Sequence, residues 1–577
     1  MAIDGGPKVQ SEYARDEDMI ITADVMIPMR DGVHLAADIY RPTEGGRVPA
    51  LLALGPYGKA LQALSLTLPP QARPSPLWDG CIEAGDIRRV VGHGYAHIIA
   101  DVRGTGQSQG ELCGNYGTGG HGEGLDVYDL VEWIAAQPWC DGNVGMIGIS
   151  YYASIQILGA AENPPSLKAI FCNGGHFDLY ELCYHGGIMW LMPRASREGR
   201  GGDSGMAVGR IASRSAREWP AEKLEQRIAE RLADPDIRAW PNLVHVLNYT
   251  KGRELWLDYV LNPLDGPFYE DGEPLAKAPQ VTIPAYIQTK WGRGWTVEST
   301  IETYEALRGP KKLDLQPLQP MQERPFHESH EEMFRWYDYW LKGIDNGIMD
   351  EAPIQVYVEG ARKWGHEKEW PLPGTQWSEF FLRPRHRLSA EAEPLDTHDA
   401  PPDGFYQPPM TVTADVEMLS WTSAAFEQPV EMTGPGALHI HVAIDNDDTN
   451  LIAKLYDLRP DGSRQMVTSG YLKASHRTLD KERSQPWKPV HPHREAVPVT
   501  PHEIVAYAIP LYSFSYMFAP GHKLVLELSC NESFADSHAA LLPPDSYHLP
   551  SGRATTHKIY RDATYRSHLL LPVIGNE

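Results

Sequence analysis

The run Val144-Gly-Met-Ile-Gly-Ile-Ser150-Tyr-Tyr-Ala sets a serine between a short apolar stretch and the helix-forming segment Ala153–Ala161. A strand that turns sharply into a helix lifts a serine hydroxyl above the edge of a sheet. It also leaves the next backbone N–H free to bind an oxyanion, and together these make a nucleophile elbow. Gly148 stands where such a turn rejects a side chain, but the second glycine of G-x-S-x-G is Tyr152 here. Taken alone, G-x-S is a weak signal that an ordinary turn serine also satisfies. A serine hydroxyl further needs a neighbouring base to become nucleophilic at neutral pH.

The surrounding pattern supplies the elements that would hold this serine. From Ile20 to Phe171 the runs DVMIPM, LAADIY, PALLALG, HIIADV, VGMIGIS and KAIFCNG alternate with glycine turns and helical stretches. Continuous apolar runs of this length predict parallel strands covered on both faces, hence a βαβ sheet. From residue 175 to 279 the pattern turns helical and aromatic and reads as a helical cap insertion. The sheet resumes with VTIPAYIQ. HESHEEMFRWYDYWLKG then presents Met333, Phe334, Trp336, Tyr337, Trp340 and Leu341 on one helical face. From residue 352 onward, PIQVYVEG, ALHIHVAID, LIAKLYDL, EIVAYAIPL and HKLVLELS predict short strands of an antiparallel sandwich or jelly roll. The expected organisation is a core of residues 1–174 and 280–351, a cap of 175–279 and an all-β domain of 352–577. The stretch from Asp480 to Val499, rich in proline, histidine and charge, reads as a long loop.

At about 150 residues per domain, the 577-residue chain has room for two to four domains. Its 52 Lys and Arg against 76 Asp and Glu leave a net charge of −24, which repels phosphate backbones and anionic lipid and argues against a nucleic acid partner. The six cysteines include no CxxC pair and are too few for a disulfide scaffold. The first residues lack a basic, then apolar leader, and no run of about 18 apolar residues occurs. The expectation is a cytoplasmic protein with no membrane partner. Glycosylation-type matches at Asn248 and Asn531 are discounted as chance.

Several further marks join Ser150-Tyr151: Met29-Arg-Asp-Gly-Val-His-Leu, Pro56-Tyr57-Gly58-Lys59, Asp101-Val-Arg-Gly-Thr-Gly-Gln-Ser108, Pro164-Pro-Ser-Leu-Lys-Ala-Ile170 and Trp340-Leu-Lys-Gly343. Asp447-Asp-Thr449, Pro460-Asp-Gly462 and Pro520-Gly-His522 extend them into the second half. With these the chain resembles, over nearly its whole length, the cocaine esterase and X-prolyl dipeptidyl peptidase (S15-like) serine hydrolases. That resemblance implies an α/β-hydrolase core with a mostly parallel, doubly wound sheet, a helical cap and a C-terminal jelly roll. It implies Ser150 as nucleophile, with the Tyr151 backbone N–H and the Tyr57 phenol as oxyanion-hole donors.

The chain departs from the family at the other two triad positions. Arg293 takes the acid's place in Lys290-Trp-Gly-Arg-Gly-Trp295. The histidine turn is Leu315-Gln-Pro-Leu-Gln-Pro320, with Pro320 where the imidazole would stand. His327 is the first replacement candidate for the base and His330 the second, against the alternative that both are polar helix-start residues. Glu298 is the first candidate acid and Glu323 the second. Arg293, Trp295 and His330 are expected to meet substrate. Cys172, His176 and Asp178 are candidates to line the pocket, with packing and turn roles preferred. The pairs His327-x-x-His330, His439-x-His441 and His491-x-His493 lack a third ligand at convincing spacing, and a solvated sheet face accounts for histidines at i and i+2 on a strand.

The leading reading is a hydrolase of a small-molecule ester or amide substrate, working through an acyl-enzyme on Ser150 without a cofactor. Phe177, Tyr180, Tyr184, Trp190 and Trp240 of the cap either wall an acyl pocket or form the cap's own core. A second reading has the scaffold run another reaction on a carboxylate-bearing substrate held by Arg293. A third is a non-catalytic ligand-binding descendant. The large two-domain surface leaves room for a homo-oligomer.

Overall fold

The apolar runs of the first half become one sheet. A computed structural model describes residues 14–16, 19–67, 82–112, 122–191, 213–249, 255–292, 294–318, 327–390, 401–532 and 547–575. Its first strands are β1 (Ala14–Asp16), β2 (Met19–Pro28), β3 (His34–Pro42), β4 (Val48–Gly55), β5 (Ala96–Asp101), β6 (Cys140–Met146) and β7 (Leu167–Asn173). A short hairpin, β8 (Tyr184–His185) and β9 (Ile188–Leu191), precedes β10 (Ala285–Lys290), β11 (Lys311–Gln316), β12 (Ile354–Val358) and β13 (Lys363–Glu367). Eleven of these form a sheet in the order β1-β2-β3-β5-β4-β6-β7-β10-β11-β12-β13. From β5 to β12 neighbours run parallel, in a register that aligns Leu52 with Met146, Met146 with Ile170 and Ile287 with both Cys172 and Leu313. Every residue of β5 and β10 is buried, as strands covered on both faces must be.

Helices α1 (Glu123–Ala135), α2 (Tyr151–Ala161), α3 (Gly294–Ala306) and α4 (His327–Trp340) belong to this core. All eleven residues of α2 are buried. Trp336 of α4 donates from its indole to the Ile170 carbonyl at 3.1 Å. The Tyr337 phenol donates to the Met146 carbonyl, and its ring lies 2.5 Å from where a Cβ on Gly145 would stand, so a larger residue there would displace α4.

PIQVYVEG is a correction to the expected sheet assignment. The strand it forms, β12, pairs in parallel with β11 and carries β13 antiparallel on its far side. It is therefore the last but one strand of the first sheet and not a strand of the second. Its alternating burial suits a strand near a sheet margin with one covered face, and that alternation cannot tell one sheet from another.

The cap carries the predicted helices, including Ala221–Ala233, Pro241–Asn248 and Leu255–Leu261. It also holds the β8–β9 hairpin, to which Tyr547–His548 of the C-terminal region adds a strand. Beyond residue 375 eleven mostly antiparallel strands form a second sheet. Pairing of Val430–Ile444 with His568–Ile574 closes it around Trp421, Leu438, Leu526 and Phe518. Cap and β domain are latched at Asp236. That buried carboxylate accepts from Lys473 at 2.6 Å, Arg553 at 2.9 Å and the Gly552 amide at 2.8 Å. No described helix is long and apolar enough to cross a membrane.

Candidate active site

The elbow follows from the end of β6. The Ile147 N–H donates to Leu52 of β4 at 3.0 Å, Ile149 to the Glu83 carbonyl at 3.2 Å and Ser150 to the Asn173 carbonyl at the end of β7 at 3.0 Å. These bonds hold Ser150 at φ 61° and ψ −118°, a backbone conformation unfavourable for a residue with a Cβ. Gly148, at φ 130°, precedes it. Tyr152 fills the second glycine's place because glycines elsewhere make room. A Cβ on Gly55 would lie 2.4 Å from the Tyr152 ring, and one on Gly148 would lie 2.4 Å from the Tyr152 Cβ.

Tyr151 opens α2, so its N–H belongs to the first-turn donors that a helix leaves for other acceptors. The Tyr57 ring stands 6.3 Å from that of Tyr151 and 5.9 Å from that of Tyr152, and is itself 9% exposed. Asp101 holds the turn carrying Tyr57. One carboxylate oxygen accepts from the Lys59 amide at 2.6 Å and the other from the Gln107 amide at 3.1 Å. Lys59 extends its ammonium to Asp24 at 2.6 Å and Asp38 at 2.8 Å. The glycines of the Asp101–Ser108 run are needed for close approach, since a Cβ on Gly106 would stand 1.9 Å from the Asp101 carboxylate.

The imidazole that meets Ser150 is His176, with Nε2 3.0 Å from the serine Oγ. The residue lies just past β7, the strand beside β6, so both side chains rise from one edge of the sheet. Ser154 of α2 clamps its backbone, accepting from the His176 N–H at 2.8 Å and donating to the His176 carbonyl at 2.9 Å. The expectation that gave His176 a packing or turn role is thus corrected. The available signal was its place at the C-terminal end of the strand adjoining the elbow strand.

Of the other expected site residues, His330 and Glu298 make structural contacts. His330 is 3% exposed and its Nε2 accepts from the Asp86 amide at 3.0 Å, so it supports a loop. Glu298 of α3 accepts from the Ser513 amide of the β domain. Burial pushes its carboxyl above the usual range, and nearby Lys488 opposes that rise. It therefore braces a domain contact. Cys172 is fully buried, and burial raises its thiol. His327 is the first residue of α4 and Trp295 lies in α3, but their side chains, like Arg293, Pro320 and Glu323, lie outside the described residues.

Two residues beyond His176, Asp178 enters the wall of a cavity of about 170 Å³ where the cap, α3 and the β domain meet. Tyr180 lines this cavity, whereas Phe177, Tyr184 and Trp190 are buried within the cap. The Asp480–Val499 loop supplies Trp487, Lys488, His491 and His493 to the opposite wall. Lys488 pairs with Glu302 at 3.0 Å. Burial, with Glu302 and Asp265 nearby, pushes the Asp178 carboxyl up to about 7. His439 and His491 engage backbone carbonyls. Among the described residues no group of three or more His, Cys, Asp or Glu is arranged to hold a metal ion.

Comparison with known proteins agrees in both halves. The profile of the X-Pro dipeptidyl-peptidase (S15 family) matches residues 31–319. That of the X-Pro dipeptidyl-peptidase C-terminal non-catalytic domain matches residues 346–570. Cocaine esterase of a Rhodococcus strain is 26% identical over 624 residues, covering 97% of this chain and 99% of its own. A CocE/NonD family hydrolase from Staphylococcus aureus superposes with a TM-score of 0.73 at 22% identity, covering 99% of this chain and 100% of that one. An aminopeptidase from a marine sediment Thaumarchaeota archaeon gives 0.74 at 18% identity, with both chains fully covered. These two structural likenesses concern the fold.

Proposed function

Because this chain belongs to the X-Pro dipeptidyl-peptidase (S15) family and is a hydrolase of ester or amide bonds, we propose that it cleaves a small acyl substrate through an acyl-enzyme on Ser150, with His176 as general base. The observation that carries this reading is the 3.0 Å contact between Ser150 Oγ and His176 Nε2, within the reach that proton transfer requires.

In the first half-reaction Nε2 takes the hydroxyl proton as Oγ attacks the substrate carbonyl carbon. The oxygen of the tetrahedral intermediate accepts hydrogen bonds from the Tyr151 N–H and the Tyr57 phenol. Collapse breaks the bond to the alcohol or amine, which leaves with the proton held by His176. Water then gives a proton to His176 and attacks the acyl carbon, releasing the acid and returning the proton to Ser150. Donors already aimed at the developing charge do not reorganise during the step, which is why such holes contribute strongly to rate.

Intact mass after incubation with a small fluorophosphonate tests the reading, on the wild type and on Ser150→Ala, His176→Ala and His327→Ala. One label per chain is expected in the wild type and none in Ser150→Ala, with labelling strongly slowed in His176→Ala and unaffected in His327→Ala. A slow His327→Ala beside a normal His176→Ala would move the base to α4. A folded wild type that takes no label would overturn the acyl-enzyme.

A further inference from the structure

The Tyr151 side chain runs away from the elbow to a carboxyl group shut off from solvent. Glu123, the first residue of α1, is 0% exposed, and the Tyr151 phenol donates to its two oxygens at 2.7 and 2.9 Å. A buried carboxylate is expensive unless hydrogen bonds satisfy it. The nearby cation, Arg103, is already paired with Asp126 at 2.5 Å and Asp31 at 3.1 Å. The phenol is thus the partner directed at Glu123 from α2. Packing alone would be served by an apolar pair of the same shape, since replacing both members of a buried polar pair is often close to neutral.

We propose that Glu123 is a positioning residue for hydrolysis, anchoring the Tyr151 phenol so that the backbone N–H of the same residue stays aimed at the oxyanion. The role rests on the acyl-enzyme reading above. Three observations make the coupling short. Tyr151 directly follows a serine held at φ 61°, so a swing of its side chain acts on an already constrained peptide. α1 and α2 are in close contact: a Cβ on Gly159 would lie 2.2 Å from Val127, and one on Gly124 would lie 2.9 Å from the Leu158 carbonyl. The anchor therefore sits on a rigid neighbour. The Tyr57 ring packs edge-on against that of Tyr151, so the same hydrogen bond steadies both donors of the hole.

Asp126 from α1, Arg103 from the turn after β5 and Tyr151 from α2 face the Glu123 carboxyl. Burial chiefly pushes it up to about 8, opposed by the Tyr151 hydrogen bond and by Arg103 and aided by Asp126. Its ionised form accepts the phenol proton through either oxygen. Turnover is therefore expected to rise as pH passes through this range.

The test is kcat and KM on p-nitrophenyl acetate, with fluorophosphonate titration of active serines, for the wild type, Glu123→Gln, Glu123→Ala, Tyr151→Phe and the double variant Glu123→Ala/Tyr151→Phe. Misaiming one oxyanion donor is expected to lower kcat by about 10- to 100-fold in Glu123→Ala and in Tyr151→Phe, with KM within about threefold. The double variant should be no slower than either single one, and the full count of serines should still label. Glu123→Gln should recover part of kcat and lose the rise near pH 8. Turnover within about threefold of wild type in Tyr151→Phe and Glu123→Gln overturns the role, even if Glu123→Ala fails to fold. A wild type that takes no label instead overturns the acyl-enzyme, and the role with it.

Discussion

The turn after β7 carries His176, and the first turn of α4 carries His327 and His330. The α4 turn is tied into the sheet. Asn173 donates to Ser329 at 3.1 Å, Ser329 to Gln288 at 2.8 Å and Gln288 to Asp314 at 2.7 Å, while His330 accepts from the Asp86 amide. Its imidazole is consumed in holding a loop. The β7 turn is held through its backbone, by Ser154 at His176 and by the Gln288 carbonyl at Gly174, and the His176 ring is directed at Ser150 Oγ. The contrast is between a ring spent on holding a loop and a ring left at the serine hydroxyl while other atoms hold its backbone.

The strongest way to break that comparison is to remove each ring in turn. His176→Ala is expected to lower kcat/KM for a p-nitrophenyl ester by on the order of 10³-fold or more, as loss of a triad member does. His330→Ala should stay within about fivefold, and the reverse ranking would assign the base to α4. Ser154→Ala sharpens the point by loosening the clamp and leaving His176 in place. A kcat lowered about tenfold is expected, with a stability loss of about 1–3 kcal/mol in urea denaturation. If kcat is unchanged, the clamp does not orient the ring.

His330→Ala should itself destabilise the fold by about 1–2 kcal/mol, because the buried Asp86 amide loses its acceptor. An unchanged urea midpoint would remove the structural role assigned to His330. The smallest effect concerns Asp178, whose carboxyl lies above its ordinary 3.8 at about 7. The native state therefore keeps this proton to higher pH than the unfolded chain, and its contribution to stability falls as pH rises from about 4 to about 7. Burial is the main cause, Glu302 and Asp265 act in the same sense, and the Glu181 amide, which donates to the carboxyl at 2.8 Å, opposes them. Asp178→Asn should be stabilised relative to wild type by of order 1 kcal/mol more at pH 8 than at pH 5. Equal differences at the two pH values would show that the carboxyl does not titrate in this window.

The elbow, the strands and the two-part architecture were legible in the chain, because strand periodicity, glycine turns and the Ser150 run are local patterns. The Asp236 latch was not. Asp236, Lys473 and Arg553 lie far apart in sequence, and only folding brings both cations within 3 Å of the Asp236 carboxylate. β12 was read as a strand and given to the wrong sheet, since its alternation states which face is covered and not by which neighbour.

The sequence by itself determined that a serine would stand on a strand-to-helix turn, with Tyr57 and Tyr151 marked as its donors by resemblance. Only the tertiary structure brings the His176 imidazole to 3.0 Å from that serine hydroxyl. Neighbouring parallel strands are about 5 Å apart, so residues that follow β6 and β7 meet at one sheet edge across 26 positions of chain. His330 looks better placed by chain order, but the hydrogen bond it accepts from the Asp86 amide commits its ring to the fold. Local pattern marks Ser150, while the histidine that stands beside it depends on strand adjacency and on which polar groups the packing leaves engaged.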